Sequence, residues 1–153
     1  MRILLDTNII LRLAQPSHSM HAVTRQAIVV LDHANVEMCL VPQVLYEFWA
    51  SATRPAGLTN GLAMSTPQVV QSVADLIDSY EFLNDLPDLF DRWRTLVATH
   101  AAQGKPSHDA RFVAAMMCHG ITNFLTFNTS DFTRYKNITV LSPPDIVAGK
   151  MPQ

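Results

Sequence analysis

Short, wholly apolar runs alternate along this chain with longer stretches whose apolar residues recur every three or four positions. The first run, Ile3, Leu4 and Leu5, ends abruptly in Asp6, Thr7 and Asn8. A run so short and continuous suits a strand buried on both faces of a parallel sheet. Helical spacing follows: Ile9, Ile10 and Leu13 recur until Pro16 stops them, and Val23, Ala27, Val30 and Leu31 mark one face of a helix over residues 20–34. Residues 36–41 form a second strand. Pro42 then suits the first turn of a helix that runs through Val44, Leu45, Phe48 and Trp49 to about Thr53.

Residues 54–65, carrying Pro55, Gly57 and Gly61, read as a loop. Thr66 and Pro67 supply an N-cap and a first-turn proline for a helix through Val69, Val70, Val73 and Ile77 to Tyr80. The next helix spans residues 87–104, with Leu89, Phe90, Trp93, Leu96 and Val97 as its core stripe. Lys105, Pro106 and Ser107 form a link, Ser107 capping a helix over residues 108–119 that Gly120 closes. Residues 123–127 and 138–141 are the third and fourth strands, and Pro143-Pro144 is expected to end the ordered core. The alternation predicts an α/β fold, a three-layer α/β/α sandwich around a small parallel sheet. One domain over residues 1–146 and a flexible tail over 147–153 are expected. With no strand between them, the two helices of residues 66–104 should form an αα-hairpin beside the sheet.

Composition narrows the class. A chain of 153 residues, 48% hydrophobic and only 16% charged, is no disordered segment. Eleven Lys and Arg against thirteen Asp and Glu give a net charge of −2. That excludes the broad basic face of a duplex-DNA binder, so any nucleic acid must be gripped locally or through bound metal. Cys39 and Cys118 form no CxxC pair and read as reduced, buried thiols, which fits a cytoplasmic protein. Asp6 and Arg12 interrupt any signal-peptide core, and no apolar run is long enough to span a membrane.

Candidate chemistry comes from acids that the pattern places at one sheet edge. Ligands of open α/β sheets bind outside the carboxyl ends of the strands. Asp6 follows the first strand there, and Asn128 and Asp131 follow the third. Asp109, in a first helical turn, aligns with Phe112, Val113, Met116 and Met117. Glu47 has Gln43, Val44, Ala50 and Ser51 as helical neighbours, and periodicity leaves it undecided. Carboxylates gathered at low dielectric repel one another unless a hard divalent cation sits among them. Such a group serves phosphodiester hydrolysis most directly. Each residue also has a plainer role: Asp6 as a helix cap, Asp109 complementing a helix dipole, Glu47 on a solvated face, Asp131 in a turn. His18 and His21 have ligand-like spacing without an evident partner, and His108 reads as a helix-start residue. Met116, Met117, Trp49 and Trp93 are expected in the core rather than against a ligand. No glycine-rich phosphate loop and no GxSxG occurs.

Four pieces, ILLDTNIIL, VPQVLYEFW, HDARFVAAMMCHG and LTFNTSDF, resemble in order the motifs of the PIN domain, and especially of VapC-type toxin ribonucleases. The resemblance covers almost the whole chain. It implies Asp6, Glu47 and Asp109 as metal-binding catalytic acids, and so settles Glu47. Asp131 joins them as a further catalytic acid. Asn128 stands where many relatives carry an aspartate, so the fourth ligand is either Asn128 or Asp131, and a second metal would bind loosely or only with substrate. Thr7, Asn8 and Thr126 are the implied supporting residues. The implied activity is Mg²⁺- or Mn²⁺-dependent endoribonuclease, with RNA as substrate, a cognate antitoxin as partner and a homodimer as assembly. Arg54, Arg94, Lys105, Arg111 and Arg134 are the cations expected to meet RNA. Two other readings compete. A haloacid-dehalogenase-like phosphatase would also use Asp6, although Asn8 stands where that family has a second aspartate. A non-catalytic PIN-like binding module would not need the metal.

Overall fold

The computed structural model describes residues 1–57 and 61–153. The strand with the continuous apolar run, β1 (Arg2–Leu5), lies in the middle of an all-parallel five-stranded sheet. It is flanked by β2 (Glu37–Leu40) and β4 (Asn123–Leu125), and the edges are β3 (Glu81–Phe82) and β5 (Thr139–Leu141). The order is β3-β2-β1-β4-β5, so the chain reverses its direction of travel across the sheet between β1 and β4. A crevice opens at such a reversal, at the carboxyl ends of the strands. Ile3, Leu4 and Leu5 are fully buried, as central strands covered on both faces require.

Helices cover both faces in a three-layer α/β/α arrangement. They are α1 (Thr7–Leu13), α2 (His21–His33), α3 (Pro42–Ala52), α4 (Thr66–Ser79), α5 (Leu89–Thr99), α6 (Lys105–His119) and α7 (Pro143–Val147). Ser65, not Thr66, caps α4, through a reciprocal capping box with Gln68. The expected loop over residues 54–65 is described apart from 58–60, which lie outside the described residues.

Several expectations are corrected. The two-residue β3 separates α4 from α5 and pairs with β2, Cys39 opposite Glu81 and Leu40 opposite Phe82. No αα-hairpin forms, and α5 packs on α6 instead. Two residues, one of them exposed, carry no periodicity that would mark a strand. The α6 helix starts at Lys105, not His108, because Gly104 takes a left-handed φ of 67° and Pro106 occupies the first turn. Ser107 is therefore inside the helix, its hydroxyl donating to the Gly104 carbonyl at 2.7 Å.

Pro143-Pro144 begins a helix rather than ending the order. Ser142 and Asp145 form a capping box, and Ile146 is buried where α7 packs on α2. Beyond it Pro152 is buried, and the backbone N–H of Gln153 donates to Asn123 Oδ1 at 3.0 Å. The segment expected to fray is thus held to the start of β4. Trp49 and Met117 are exposed rather than in the core, as are Val70, Ile77 and Phe90. Among the described residues, no helix is long and apolar enough to cross a membrane.

Candidate active site

The end of β1 delivers Asp6 into the crevice, where its backbone N–H donates to the Leu125 carbonyl at 3.0 Å. Asp6 occupies the N-cap position of α1, yet its side chain makes no capping hydrogen bond. Its Oδ2 instead accepts from Thr126 Oγ1 at 2.5 Å and from Asn8 Nδ2 at 2.7 Å. Asn8 also donates to Thr126 Oγ1 at 3.0 Å, while its Oδ1 accepts from the Phe127 N–H at 3.2 Å. Thr126 Oγ1 in turn accepts from the Asn128 N–H at 3.0 Å. The supporting residues Asn8 and Thr126 therefore sew the ends of β1 and β4 together around one carboxylate. At the position where the phosphatase reading needs a second acid, Asn8 is an amide committed to holding Asp6.

Glu47 reaches the same crevice from α3. Its Oε2 accepts from Thr7 Oγ1 at 2.7 Å and its Oε1 from Gln43 Nε2 at 2.8 Å. Asp109 is the fifth residue of α6, beyond the first turn, so the helix-dipole role does not apply. Asp6, Glu47 and Asp109 line one cavity of about 330 Å³ together with Thr7, Asn8 and Asn128. Its floor is apolar: Phe112 and Phe132 line it and pack on Phe124, with ring centroids 5.6 and 4.7 Å away.

The electrostatics follow from that floor. Burial is the largest influence on Asp6 and pushes its carboxyl up to about 6, against the lowering effect of the Thr126 hydrogen bond. The charges of Glu47 and Asp109 push the same way. Asp109 is also raised, first by burial and then by Asp131 and Glu47, with Lys105 opposing. These are acids gathered without full compensation, the condition that a bound cation relieves.

Not every expected residue joins them. Asn128 lines the cavity, whereas Asp131 does not and pairs with Lys105 Nζ at 2.9 Å. Arg54 and Lys105 line the cavity; Arg94, Arg111 and Arg134 do not. Arg94 pairs with Asp91 on the exposed face of α5. His21 Nδ1 is engaged with the Arg12 carbonyl and His18 Nδ1 accepts from the Met20 N–H, so the HSMH pair is spent on local bonds.

Sequence reasoning passed over Gln43. Its buried amide joins Glu47 to the His108 carbonyl at 3.2 Å, and its oxygen accepts from Arg111 Nη1 at 3.3 Å. It lies four positions before Glu47 on one helix face, and that spacing was the available signal.

The donors around the cavity are oxygens, which suits Mg²⁺ or Mn²⁺ rather than zinc. Among the described residues, no three His, Cys, Asp or Glu side chains stand close enough to form a ready ligand cluster. The acids thus surround the space without closing on it. In kind and in uncompensated charge they fit a hard cation.

No protein-family model and no curated relative matches the sequence. Solved structures do match. The VapBC2 complex of Rickettsia felis bound to promoter DNA aligns with a TM-score of 0.67 at 14% identity, over 93% of this chain and 98% of that one. VapBC of Salmonella typhimurium bound to DNA gives 0.67 at 16% identity, over 94% and 98%. A Mycobacterium tuberculosis VapC toxin that cleaves the sarcin–ricin loop gives 0.65 at 18%, over 87% and 95%. The chain has the VapC-type PIN fold. At these identities the likeness is one of chain path, and it agrees with the fold implied by the four sequence motifs. Within the VapC-type fold, three of those motifs bring Asp6, Glu47 and Asp109 to one cavity, and the fourth adds Asn128.

Proposed function

We propose that this chain is a Mg²⁺- or Mn²⁺-dependent endoribonuclease and the toxin of a toxin–antitoxin pair. The observation that carries the reading is the convergence of Asp6, Glu47 and Asp109, from three distant parts of the sequence, on one partly apolar cavity at the strand carboxyl ends. Those three acids, with the Asn128 amide beside them, would hold the cation. When bound, it supplies Lewis-acid stabilisation of the phosphodiester and lowers the pKa of water.

The chain's own residues set the geometry. Asn8 and Thr126 orient the carboxylate of Asp6, and Thr7 and Gln43 orient that of Glu47, so both acids are aimed before substrate arrives. Arg54 and Lys105 place positive charge at the rim, where the phosphodiester backbone enters. Phe112 and Phe132 exclude water from one side and strengthen every interaction above them.

Support for the toxin role comes from the fold, which is that of toxin–antitoxin complexes from Rickettsia, Klebsiella and Salmonella. An antitoxin partner, a homodimer and cytoplasmic residence belong to the same proposal. The test is cleavage of single-stranded RNA in Mn²⁺ by wild type, Asp6→Asn and Asp109→Asn, with folding checked by circular dichroism. Wild type should cleave, and both folded variants should lose at least about 100-fold in rate, as removal of a metal-site group does. A variant that cleaves at the wild-type rate overturns the assignment.

A further inference from the structure

Beside the acidic cavity lies a second one of about 540 Å³, and the two share a wall at His108. Its lining includes Leu86, Pro87, Phe90 and Trp93, together with the ion pair of Asp85 and Arg111. The wall residues come from the start of α5 and the segment before it, facing the first two turns of α6. Phe90 was expected in the core, yet it is 63% exposed. It sits three residues from Trp93 on one helix face, ring centroids 5.6 Å apart. The indole is fixed: Trp93 Nε1 donates to the Ser107 carbonyl at 2.7 Å. Its polar edge is thereby satisfied within the protein, and the half-buried ring contributes to the cavity wall. Arg111 is held too, by Asp85 and by Gln43 Oε1, and Gln43 also grips Glu47. Aromatic side chains and a guanidinium plane are the surfaces on which unpaired bases stack, irrespective of sequence.

We propose that this second cavity receives an unpaired base of the RNA, next to the phosphate held in the acidic cavity. The inference rests on the nuclease reading and names the substrate contact that the acidic cavity lacks. A net charge of −2 leaves little for phosphate attraction, so substrate must be gripped by contacts of another kind. An apolar pocket that adjoins the acids through His108 provides that grip beside the phosphate site. The pocket selects RNA that is single-stranded at the cut, because a paired base cannot enter it.

The test uses the full chain. Wild type with Mn²⁺ acts on unfractionated bacterial RNA, the cut sites are mapped, and an oligonucleotide spanning one cut is made with an abasic nucleotide on either side. Phe90→Ala should raise KM by roughly tenfold or more, the size of one lost base stack, with kcat within about twofold. Phe90→Tyr, which keeps the ring, should retain the wild-type KM. In wild type one of the two abasic substitutions should cost a similar factor, and in Phe90→Ala that same substitution should cost almost nothing, because both changes remove one contact. Exposure of Phe90 keeps the variant's core intact. If RNA is cut but Phe90→Ala leaves KM unchanged, or if its effect and the abasic effect multiply, the base site is refuted while the nuclease reading stands. If Phe90→Ala alters the sedimentation of the protein and not its KM, the face is a protein interface and the proposal is wrong. If wild type cuts no RNA, the nuclease reading falls and takes this one with it.

Discussion

At the residue scale the site is defined by an acid held where it is least comfortable. The Asp6 side chain is buried, accepts from Asn8 and Thr126, and still has its carboxyl raised from 3.8 to about 6. The sign of the consequence is fixed. Between pH 3.8 and 6 the folded chain holds a proton that the unfolded chain has released, so stability falls as pH rises through that window and stays lower above it. That rise in the Asp6 pKa corresponds to ~3 kcal/mol. Thermal melts of metal-free protein should therefore give a lower Tm at pH 7 than at pH 5. Asp6→Asn keeps an oxygen acceptor for Asn8 and Thr126 and removes the charge. It should melt about 2–4 °C higher than wild type at pH 7 for each kcal/mol recovered, while losing cleavage. A variant that melts lower at pH 7 would contradict this account of Asp6. Asp6 and Asp109 were legible because one ends an apolar run and the other sits on an apolar stripe. Glu47 was not, since its own helix face is half polar; a hydroxyl forty residues away in sequence, that of Thr7, orients it.

Elements were legible where burial writes a pattern. The buried apolar residues of β1, β2 and β4 read as short runs, and the C-terminal boundary of α6 was marked by Gly120 in the left-handed conformation, φ 63°. Boundaries set by local backbone chemistry were harder. The start of α6 depends on Gly104, and α7 depends on a capping box between Ser142 and Asp145 that two prolines disguised. That box has a measurable weight. Ser142→Ala removes the hydroxyl that accepts from the Asp145 N–H, and should cost about 1 kcal/mol in urea denaturation. Ile146→Ala, at the fully buried contact with α2, should cost about 2–5 kcal/mol in the same measurement. If both variants unfold at the wild-type midpoint, α7 is not docked as described. The β3 strand could not be read at all, because it exists only through its pairing with Cys39 and Leu40.

For the whole molecule, strand order places the reversal between β1 and β4, and the acids from β1, α3 and α6 meet there around an apolar floor. A short apolar strand ending in Asp6 was enough to predict the edge; which helices lean over it was a long-range property that no local pattern encodes. With Arg54 and Lys105 as the cations lining the cavity, RNA binding should depend only weakly on salt, with a log–log slope of about −1.4 for two phosphates on a single strand. Lys105→Ala should flatten that slope by about half in a binding titration against salt. A steep slope, as for many phosphates, would place the RNA on some other surface. The central claim is that Asp6, Glu47 and Asp109 share one divalent cation, and a crystal structure with Mn²⁺ tests it most directly. The expected result is an anomalous peak in the crevice about 2.1 Å from carboxylate oxygens of all three. A crevice without that peak at saturating Mn²⁺, or a peak bound by other residues, would contradict it.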